Sequence, residues 1–460
     1  MKKNILYIVL LAVVVSSCHI YKPYKRPDVN TAGVYRDPVS ATDTLAVSDT
    51  TNMGNLPWEQ VFTDPQLQQL IRQGLENNSD LKTAALQVSQ AEARLMTSRL
   101  SFLPSLSLSP QGTVSSFDKS AAQWTYQLPV VASWEIDLFG RLLNSKRAAK
   151  TALMQSEAYK QAVRTQVIST VANYYYTLLM LDRQLQISEQ TAESWKQNVQ
   201  MMKDLKVAGS VNEAAVVQSE ANYYSIVASL ADLRQQISST ENALSVLLGQ
   251  APQMIARSTI EEQQFPAEMN TGIPVQMLSN RPDVRSAEMA LAGAYYNTNI
   301  ARSAFYPNLV ISGSAGWTNS AGSVIVNPGK ILASAVASLT QPIFGRGANI
   351  AQLKIAKAQQ EEALIAFQQS ILNAGSEVSN ALVQYQTAEE KLAQRKEQIK
   401  SLEKSVKYTQ DLLFLDSSHT YLEVLTAQQS LLSAQLSEVS DNFQRMQSVI
   451  NLYHALGGGR

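Results

Sequence analysis

The side chains that could perform covalent or metal chemistry are few in this chain and lie far apart in its sequence. Its 460 residues include three histidines and one cysteine, which are His19, His419, His454 and Cys18. A zinc site requires three or four such ligands that converge on one point. We therefore expect no metal ion, no cofactor and no enzymatic reaction.

One short stretch has the composition of a phosphate-binding loop, because Gly345, Arg346 and Gly347 stand between a β-like run and a long helical run. A dinucleotide-binding loop needs a third glycine and a surrounding unit of parallel strands. The third glycine is absent, and Phe-Gly-Arg also occurs 205 residues earlier, at Gly140 and Arg141, without the second glycine. We interpret both copies as structural joints between a strand and a helix.

A second motif is repeated at nearly the same spacing. Phe-x-Pro places its proline at Pro104 and again at Pro307, which is 203 residues later. Recurrence of one plan at a fixed period is typical of a tandem duplication. The predicted pairs of segments are a helix at 57–100 and 281–304, a β-hairpin at 101–139 and 305–344, and a long helical hairpin at 140–248 and 345–456.

The predicted hairpins contain strands with one apolar and one polar face. From Trp124 to Leu138 the even-numbered residues are apolar and the odd-numbered residues are mostly polar, with the two-residue period of a strand. The run is long enough to cross a bilayer when tilted, and Trp124, Tyr126 and Trp134 near its ends are typical of membrane interfaces. A half-buried sheet of a soluble domain is the alternative.

Each copy supplies one hairpin, so the chain offers four strands in total. Four strands cannot close a membrane barrel, and open sheet edges are not tolerated in hydrocarbon. The sequence therefore predicts a homo-oligomer in which several chains share one barrel.

The predicted helices are unusually long. Between Arg141 and Ala208 there is neither glycine nor proline, which allows roughly 100 Å of helix. The two helical hairpins turn back at two tips, whose residues are Val207, Ala208 and Gly209, and Leu415, Asp416 and Ser417. A plain coiled-coil stalk is the alternative, but it does not explain the paired strands.

The N-terminus has the pattern of an export signal. Lys2 and Lys3 precede a short apolar run and the sequence Val15-Ser16-Ser17-Cys18, which resembles a bacterial lipobox. We predict a signal peptide at 1–17, lipidation of Cys18, and an extended arm at 18–56. An ordinary signal peptide with an incidental cysteine is the alternative.

Charge and hydropathy exclude two further classes. The formal net charge is zero, so the chain lacks the basic surface that nucleic-acid binding requires. Beyond the signal peptide, no run of 18 consecutive apolar residues predicts a membrane-spanning helix.

Several stretches together resemble the TolC-type outer-membrane factors, in the lipoprotein branch that serves multidrug efflux pumps of the RND type. They cover nearly the whole mature chain and include SWEIDLFGR, NRPDVRSAE, QPIFGRG, YLEVLTAQQSLLSAQ and NLYHALGGG. The resemblance implies a membrane α+β fold: a homotrimer with a twelve-stranded β-barrel, to which each chain gives four strands, above a long periplasmic α-helical barrel. It also implies an equatorial domain, to which we assign the segments near 57–65, 249–280, around Gly375, and 455–460. The last four residues, 457–460, are the C-terminal tail.

The resemblance further implies a periplasmic gate near the start of the last long helix. Leu422, Thr426 and Gln429 share one helix face, and Glu423 stands beside them. Relatives often have aspartate at the position of Thr426 and arginine at that of Gln429, so a simple salt-bridge lock is not expected. Three copies of Glu423 around an axis would form a cation-attracting constriction. A solvated surface carboxylate is the alternative for Glu423.

The function implied by the resemblance is passive conduction across the Gram-negative outer membrane. Drugs or other small toxic compounds would arrive from an inner-membrane pump through a periplasmic adaptor that docks on the two tips. The chain would contact outer-membrane lipid and no nucleic acid. The alternatives are a type I protein-secretion channel and a lipid-anchored coiled-coil structural protein.

Overall fold

The structure is a computed structural model that describes residues 21–28, 54, 56–118, 120–265, 281–318, 331–415 and 421–459. The predicted lipidation site Cys18 and the tip residues Asp416 and Ser417 lie outside the described residues, as do the predicted signal peptide and most of the arm.

The described residues contain eight α-helices, and the last six are two sets of three that repeat nearly the same lengths in the same order. The first is the short α1 (Trp58–Val61), followed by α2 (Pro65–Asn77), α3 (Ser79–Leu100), α4 (Arg141–Val207), α5 (Glu213–Leu247), α6 (Pro282–Ser303), α7 (Ala348–Leu415) and α8 (Tyr421–Ala455). Helices α3 and α6 each have 22 residues, α4 and α7 have 67 and 68, and α5 and α8 each have 35. The predicted tandem duplication is confirmed.

One antiparallel sheet combines the strands of both copies. Its strands are β1 (Ser105–Leu108), β2 (Gln111–Ser115), β3 (Gln123–Ile136), β4 (Asn308–Thr318) and β5 (Ile331–Thr340). β3 pairs with β4 and β4 with β5, while β1 and β2 both pair with β3. The two hairpins of the duplicated plan thus join side by side into one sheet.

The first hairpin differs from the prediction in one respect, because its first strand is divided into β1 and β2. Leu108 lies opposite Val130 and Gln111 lies opposite Gln127, so the register continues unchanged across the interruption. Pro110 stands between the two pieces and has no backbone N–H to donate to β3. The sheet therefore has five strands that form four legs.

The two faces of the sheet differ sharply in composition. On one face lie large apolar side chains that are exposed in the single chain, including Leu106, Leu108, Val130, Trp134, Ile311 and Trp317. The other face carries mostly serine, threonine and glutamine, as in the facing residues Ser133 and Ser312. Such an apolar face needs apolar surroundings, because exposing it to water is unfavourable.

The described residues form two compact units. Unit 1 takes its described residues from 1–30, 86–158 and 285–370, and it contains the whole sheet. Unit 2 takes its described residues from 31–85, 159–284 and 371–460. Its most deeply buried side chains include Phe62, Ile168, Tyr175, Leu179 and Tyr453.

The joint between β3 and α4 is built from the motif Glu-Ile-Asp-Leu-Phe-Gly-Arg. Gly140 has a φ of +71°, which favours glycine, and Arg141 begins the helix. The Asp137 carboxylate accepts a hydrogen bond of 2.7 Å from the backbone N–H of Leu143, which caps the helix. Arg141 also donates to the Glu135 carboxylate at 2.8 Å, so its charge is compensated within the joint.

The second Phe-Gly-Arg motif also lies between a strand and a long helix, but the backbone turns there at different residues. Gly345 does not adopt a positive φ; the left-handed residues are Arg346, with a φ of +53°, and Gly347, with a φ of +79°. Helix α7 begins only at Ala348. The extra glycine of the second copy allows the chain to turn later, so Gly345 does not have the role of Gly140.

The motif Asn-Arg-Pro-Asp-Val and the C-terminal glycine motif both contact the end of α8 in unit 2. The buried Arg281, which directly precedes α6, donates to the Ala455 carbonyl at 2.8 Å and to the Glu377 carboxylate at 2.7 Å. Past Ala455, Gly458 packs so closely on the ring of Tyr453 that a Cβ atom would overlap it. The N–H of Gly459 donates to the Tyr453 hydroxyl at 2.7 Å. The first motif thus supplies the arginine that binds the end of α8, and the second supplies glycines where a side chain would overlap Tyr453.

No helix in the described part of the chain combines the length and the apolar character that crossing a bilayer requires.

Gly316 offers a direct test of the β3–β4 pairing. A Cβ atom at Gly316 would overlap the backbone of Leu128 and Pro129, whereas one at Gly313 would lie 3.6 Å from the Ser334 carbonyl, an ordinary contact. We expect Gly316→Ala to destabilise the sheet by about 1–3 kcal/mol and Gly313→Ala to have little effect. Thermal unfolding of the two purified variants in detergent, followed by circular dichroism, measures the difference. Equal melting temperatures would contradict the register.

Candidate functional site

The first tip is a tight turn between α4 and α5. Gly209 has a φ of +78°, and the N–H of Ser210 donates to the Leu205 carbonyl at 2.9 Å, which closes the end of α4. The side chain of Asn212 accepts a hydrogen bond of 3.1 Å from the N–H of Ala215 and caps the start of α5. Val207 is 89% exposed, so the tip presents an apolar side chain to solvent.

Two ion pairs connect the helices next to this tip. Lys203 lies 2.8 Å from the Glu220 carboxylate, and Lys206 pairs with Glu213. The hydrogen bond and the charge of Glu220 raise the pKa of the Lys203 ammonium group. Pairs this exposed add little stability, so they orient the two helices without holding them together.

The packing that holds the start of α8 is apolar. Its residues Tyr421, Val424 and Leu425 are buried against α4 and α5, in a group that we call the tip cluster: Trp195, Met202, Val216, Tyr421, Val424 and Leu425. These six side chains are all less than a tenth exposed. Burial of this apolar area fixes one face of α8 within the protomer.

Two hydrogen bonds add direction to this packing. The Tyr421 hydroxyl lies 3.0 Å from the Ser219 hydroxyl, and the Asn198 side chain donates to that of Gln428 at 2.9 Å. Burial raises the pKa of the Tyr421 phenol, which keeps it neutral and able to donate. Because polar groups at a buried position cost free energy unless they are paired, these two hydrogen bonds offset the cost of placing polar side chains beside the tip cluster.

The predicted gate residues lie on the opposite face of α8. Leu422 is 65% exposed, and Glu423, Thr426 and Gln429 are also exposed. The Thr426 hydroxyl donates to the Leu422 carbonyl at 2.8 Å, so it is satisfied within its own helix. The four residues share a face that the protomer leaves uncovered. Their role in a gate stays a prediction.

The second tip is only partly described. Leu415 is the last residue of α7, and Asp416 and Ser417 lie outside the described residues. The docking role predicted for both tips stays a prediction, as does lipidation at Cys18.

Unit 2 contains two polar networks that the sequence did not reveal. Arg257 bridges the carboxylates of Asp182 and Glu241, with N–O distances of 2.5 Å to each. These partners lie 75 and 16 residues from Arg257, so no local spacing could have identified them. Both carboxylates compensate the buried guanidinium, which is consistent with a structural role.

The second network surrounds the buried Asp64, which caps α2 by accepting a hydrogen bond of 2.8 Å from Gln66 N–H. Tyr175 donates to its other carboxylate oxygen at 2.6 Å, and Ser258 and Gln263 also donate to that oxygen. Burial opposes ionisation, but these hydrogen bonds outweigh it and lower the pKa of Asp64. The capping role of Asp64 could have been found in the sequence, because aspartate followed by proline is typical of the start of a helix.

Neither network has the composition of a metal site. Among the residues that the structure describes, no group of three or more His, Cys, Asp and Glu side chains is arranged to hold a metal ion.

Substitutions at two leucines of α8 distinguish the buried face of the helix from its exposed face. We expect Leu425→Ala, in the tip cluster, to destabilise this region by about 2–5 kcal/mol, because it leaves a cavity. Leu422→Ala removes an exposed side chain and serves as the matched control. Hydrogen–deuterium exchange of the α8 amides measures local opening. Equal exchange in the two variants would contradict the assignment of the faces.

Comparisons with known proteins agree with this architecture. A family model described as "Outer membrane efflux protein" matches residues 70–250 and 273–458, one stretch for each copy of the repeat. The cation efflux system protein CusC of Escherichia coli O6:H1 is 29% identical over 452 residues, which cover 98% of this chain and 97% of CusC. The toluene efflux pump outer membrane protein TtgC of Pseudomonas putida is 27% identical over 481 residues, which cover 100% and 96%.

A crystal structure of CusC, from work on its folding and transmembrane channel formation, has a TM-score of 0.85 at 28% identity. The match covers 96% of this chain and all of that chain. The predicted TolC-like fold is confirmed, and the coiled-coil structural alternative is wrong, because a coiled coil contains no paired strands. Since the family model covers most of the sequence in two stretches that follow the repeat, the chain belongs to the outer membrane efflux protein family.

Proposed function

We propose that three copies of this chain form a passive conduit that receives small toxic compounds from an inner-membrane pump and a periplasmic adaptor and releases them outside the cell. As a member of its family, the chain is an outer-membrane exit component of an efflux system. The homotrimer, the gate, the docking tips and the class of transported compound belong to the proposal.

The division of the sheet into two faces carries this proposal. Large side chains such as Trp134 and Ile311 are exposed on the apolar face, as contact with lipid requires. Ser133 and Ser312 lie opposite one another on the polar face, as a water-filled passage requires. A sheet inside a soluble protein would bury its apolar face instead, because that burial is the main stabilising contribution.

The exposed face of α8 supports the predicted periplasmic gate. The tip cluster holds one face of the helix, and Leu422, Glu423, Thr426 and Gln429 are exposed on the other face, where we place their counterparts around a threefold axis. Leucine side chains in such a ring would exclude water, and glutamate side chains would favour cations. The absence of an acidic residue at Thr426 makes the ring less charged than in the relatives that have aspartate there.

The two tips are the surfaces on which we expect the adaptor to dock. Val207, Ala208 and Gly209 form the first, and Leu415, Asp416 and Ser417 belong to the second. The exposed Val207 offers the adaptor an apolar side chain at the first tip, and the ion pairs of Lys203 and Lys206 lie beside it.

The N-terminal arm supports anchoring through Cys18. Two residues of the described part of the arm contact α6. The N–H of Tyr24 donates to the Tyr296 hydroxyl at 3.3 Å, and Arg26 pairs with Glu288 at 2.7 Å. Tyr21 lies against Gly140 at the first strand–helix joint. The arm thus runs along α6 towards the joint, which would hold an acylated Cys18 near the membrane.

The central experiment is efflux itself. Deletion of the gene and complementation with the intact chain should restore resistance to the exported compounds, and the purified protein should conduct ions in planar bilayers. Testing metal cations, solvents, dyes and antibiotics in parallel identifies the compound class, since relatives named for both cations and toluene are similar to this chain. No change in any resistance, together with no conductance, would overturn the proposal.

Val207 tests the docking of the first tip. We expect Val207→Glu to lower resistance at least about tenfold, because an apolar contact with the adaptor would receive an unpaired charge. Val246→Glu on the same helical hairpin is the matched control, since Val246 is also exposed. Minimum inhibitory concentrations and outer-membrane protein levels are the measurements. Equal resistance at equal protein levels would place the docking surface elsewhere.

Glu423 tests the electrostatics of the gate. If three carboxylates surround the passage, Glu423→Gln should reduce its preference for cations over anions, because the attracting charge is removed. Glu403→Gln on α7 is the matched control, because it removes the same charge from another exposed position. Reversal potentials under a salt gradient in planar bilayers measure selectivity. An unchanged value for Glu423→Gln would favour its alternative as a solvated surface carboxylate.

A further inference from the structure

The two phenylalanines of the repeated Phe-Gly-Arg motif have opposite surroundings in the single chain. Phe139 stacks on the ring of Tyr306, with ring centroids 4.9 Å apart and an interplanar angle of 12°. Phe344, its counterpart in the second copy, is 86% exposed. The adjoining Ile343 is also almost fully exposed. The duplication has therefore produced one covered and one uncovered aromatic side chain.

The partner of Phe139 shows what is missing at Phe344. Tyr306 is the middle residue of Phe-x-Pro in the second copy, so the contact joins the Phe-Gly-Arg of one copy to the Phe-x-Pro of the copy that follows it in the sheet. The corresponding contact for Phe344 requires the Phe-x-Pro of a first copy. Its middle residue is Leu103, which is 61% exposed in its own chain.

We propose that Phe344 of one protomer packs on the partner subunit's Leu103, and that this contact closes the boundary between neighbouring protomers. The inference rests on the proposed homo-oligomer and adds the residues at its interface. The two exposed apolar side chains would cover one another there, as Phe139 and Tyr306 do within the chain. The occupant is a second copy because only the repeated plan of this chain supplies the matching motif.

The strand edges lead to the same pairing. Among the described strands, β5 pairs only with β4, and β1 and β2 pair only with β3, so their outer backbone groups are available. In hydrocarbon such groups must find partners. An interface between β5 and the first leg of the partner subunit satisfies both edges in the same way that β3 and β4 satisfy each other.

The repeat also predicts the register at this boundary. Within the chain, Trp134 lies opposite Ile311. The strand end of Phe-Gly-Arg is offset by 205 residues between copies, and Phe-x-Pro by 203. Adding 205 to the number of Trp134 gives Leu339, and subtracting 203 from that of Ile311 gives Leu108. Leu339 therefore lies opposite the partner subunit's Leu108. The next pair, derived from Glu135 and Val310, is Thr340 and the partner subunit's Ser107.

This register is consistent with the two faces of the sheet. Leu339 pairs with Leu309 on the apolar face, and Leu108 pairs with Val130 on the same face. Thr340 pairs with Asn308, and Ser107 pairs with Val131, both on the other face. A displacement by one residue would set leucine against serine across the boundary and mix the faces.

Cysteine cross-linking in the full-length chain tests the proposal. Outer membranes containing Leu103→Cys together with Phe344→Cys are oxidised mildly and analysed on heated, non-reducing gels. We expect covalent dimers and trimers about tenfold above either single variant, since a disulfide between chains requires the two backbones to approach closely at these positions. Leu103→Cys with Ile365→Cys is the matched control, because Ile365 is exposed on α7 but far from the joint along the helix.

A second pair tests the register in the same assay. Leu339→Cys with Leu108→Cys should cross-link more than Leu339→Cys with Leu106→Cys, although Leu106 is also exposed on the apolar face. Equal yields, or a higher yield for Leu106, would overturn the register. If cysteine variants fail to reach the membrane, Phe344→Ser should lower the temperature at which the oligomer dissociates, and Ile365→Ser should not.

The outcomes separate this inference from the proposed function. An intact oligomer that conducts and restores resistance, but shows no cross-link above the control, would overturn the Phe344–Leu103 contact and leave the conduit standing. Efficient cross-linking without conductance or resistance would support the contact and contradict the conduit.

Discussion

Hydrogen bonding of the strand edges is the constraint on which this protein depends. One chain supplies four legs of sheet, and in the described strands the first and last legs each have a partner on one side only. The apolar face, with Trp134 and Ile311 exposed, is suited to lipid, where water cannot satisfy backbone groups. The unpaired edges of the described strands are the backbone reason for the homo-oligomer that we propose.

Duplication provides most of the architecture but not identical halves. Helices of matched length recur in order, yet the joints that precede the long helices differ. In the first, Asp137 caps α4 and Glu135 compensates Arg141. The second has no acidic residue between Thr340 and Ala348, and it turns at Arg346 and Gly347. One joint is thus completed by its own chain, while Phe344 at the other is exposed in the single chain.

The long helices solve a different problem, which is to pack on one face and leave another free. At the start of α8 this division is made within a single turn. Val424 and Leu425 enter the tip cluster, and Leu422 points away from it. Val424 is two residues from Leu422 and so lies on nearly the opposite side of the helix. Nearby positions of α8 can therefore be buried in the tip cluster or exposed.

The sequence by itself determined the repeat, the long helices and the alternating strands, and it predicted that several chains share one barrel. These features depend on local periodicity, on the absence of glycine and proline, and on motif spacing, all of which can be read along the chain. It also indicated the exposed face of α8, because helical spacing alone groups Leu422, Thr426 and Gln429.

Only the tertiary structure decided the features that depend on residues distant in sequence. It showed that Pro110 divides a leg without shifting its register, since the unbroken pairing with β3 holds both pieces. It showed that Gly345 is not the counterpart of Gly140, because backbone conformation depends on the whole joint and not on the motif. It brought Arg257 to Asp182 and Glu241, and Phe139 to Tyr306, across intervals that no local pattern encodes.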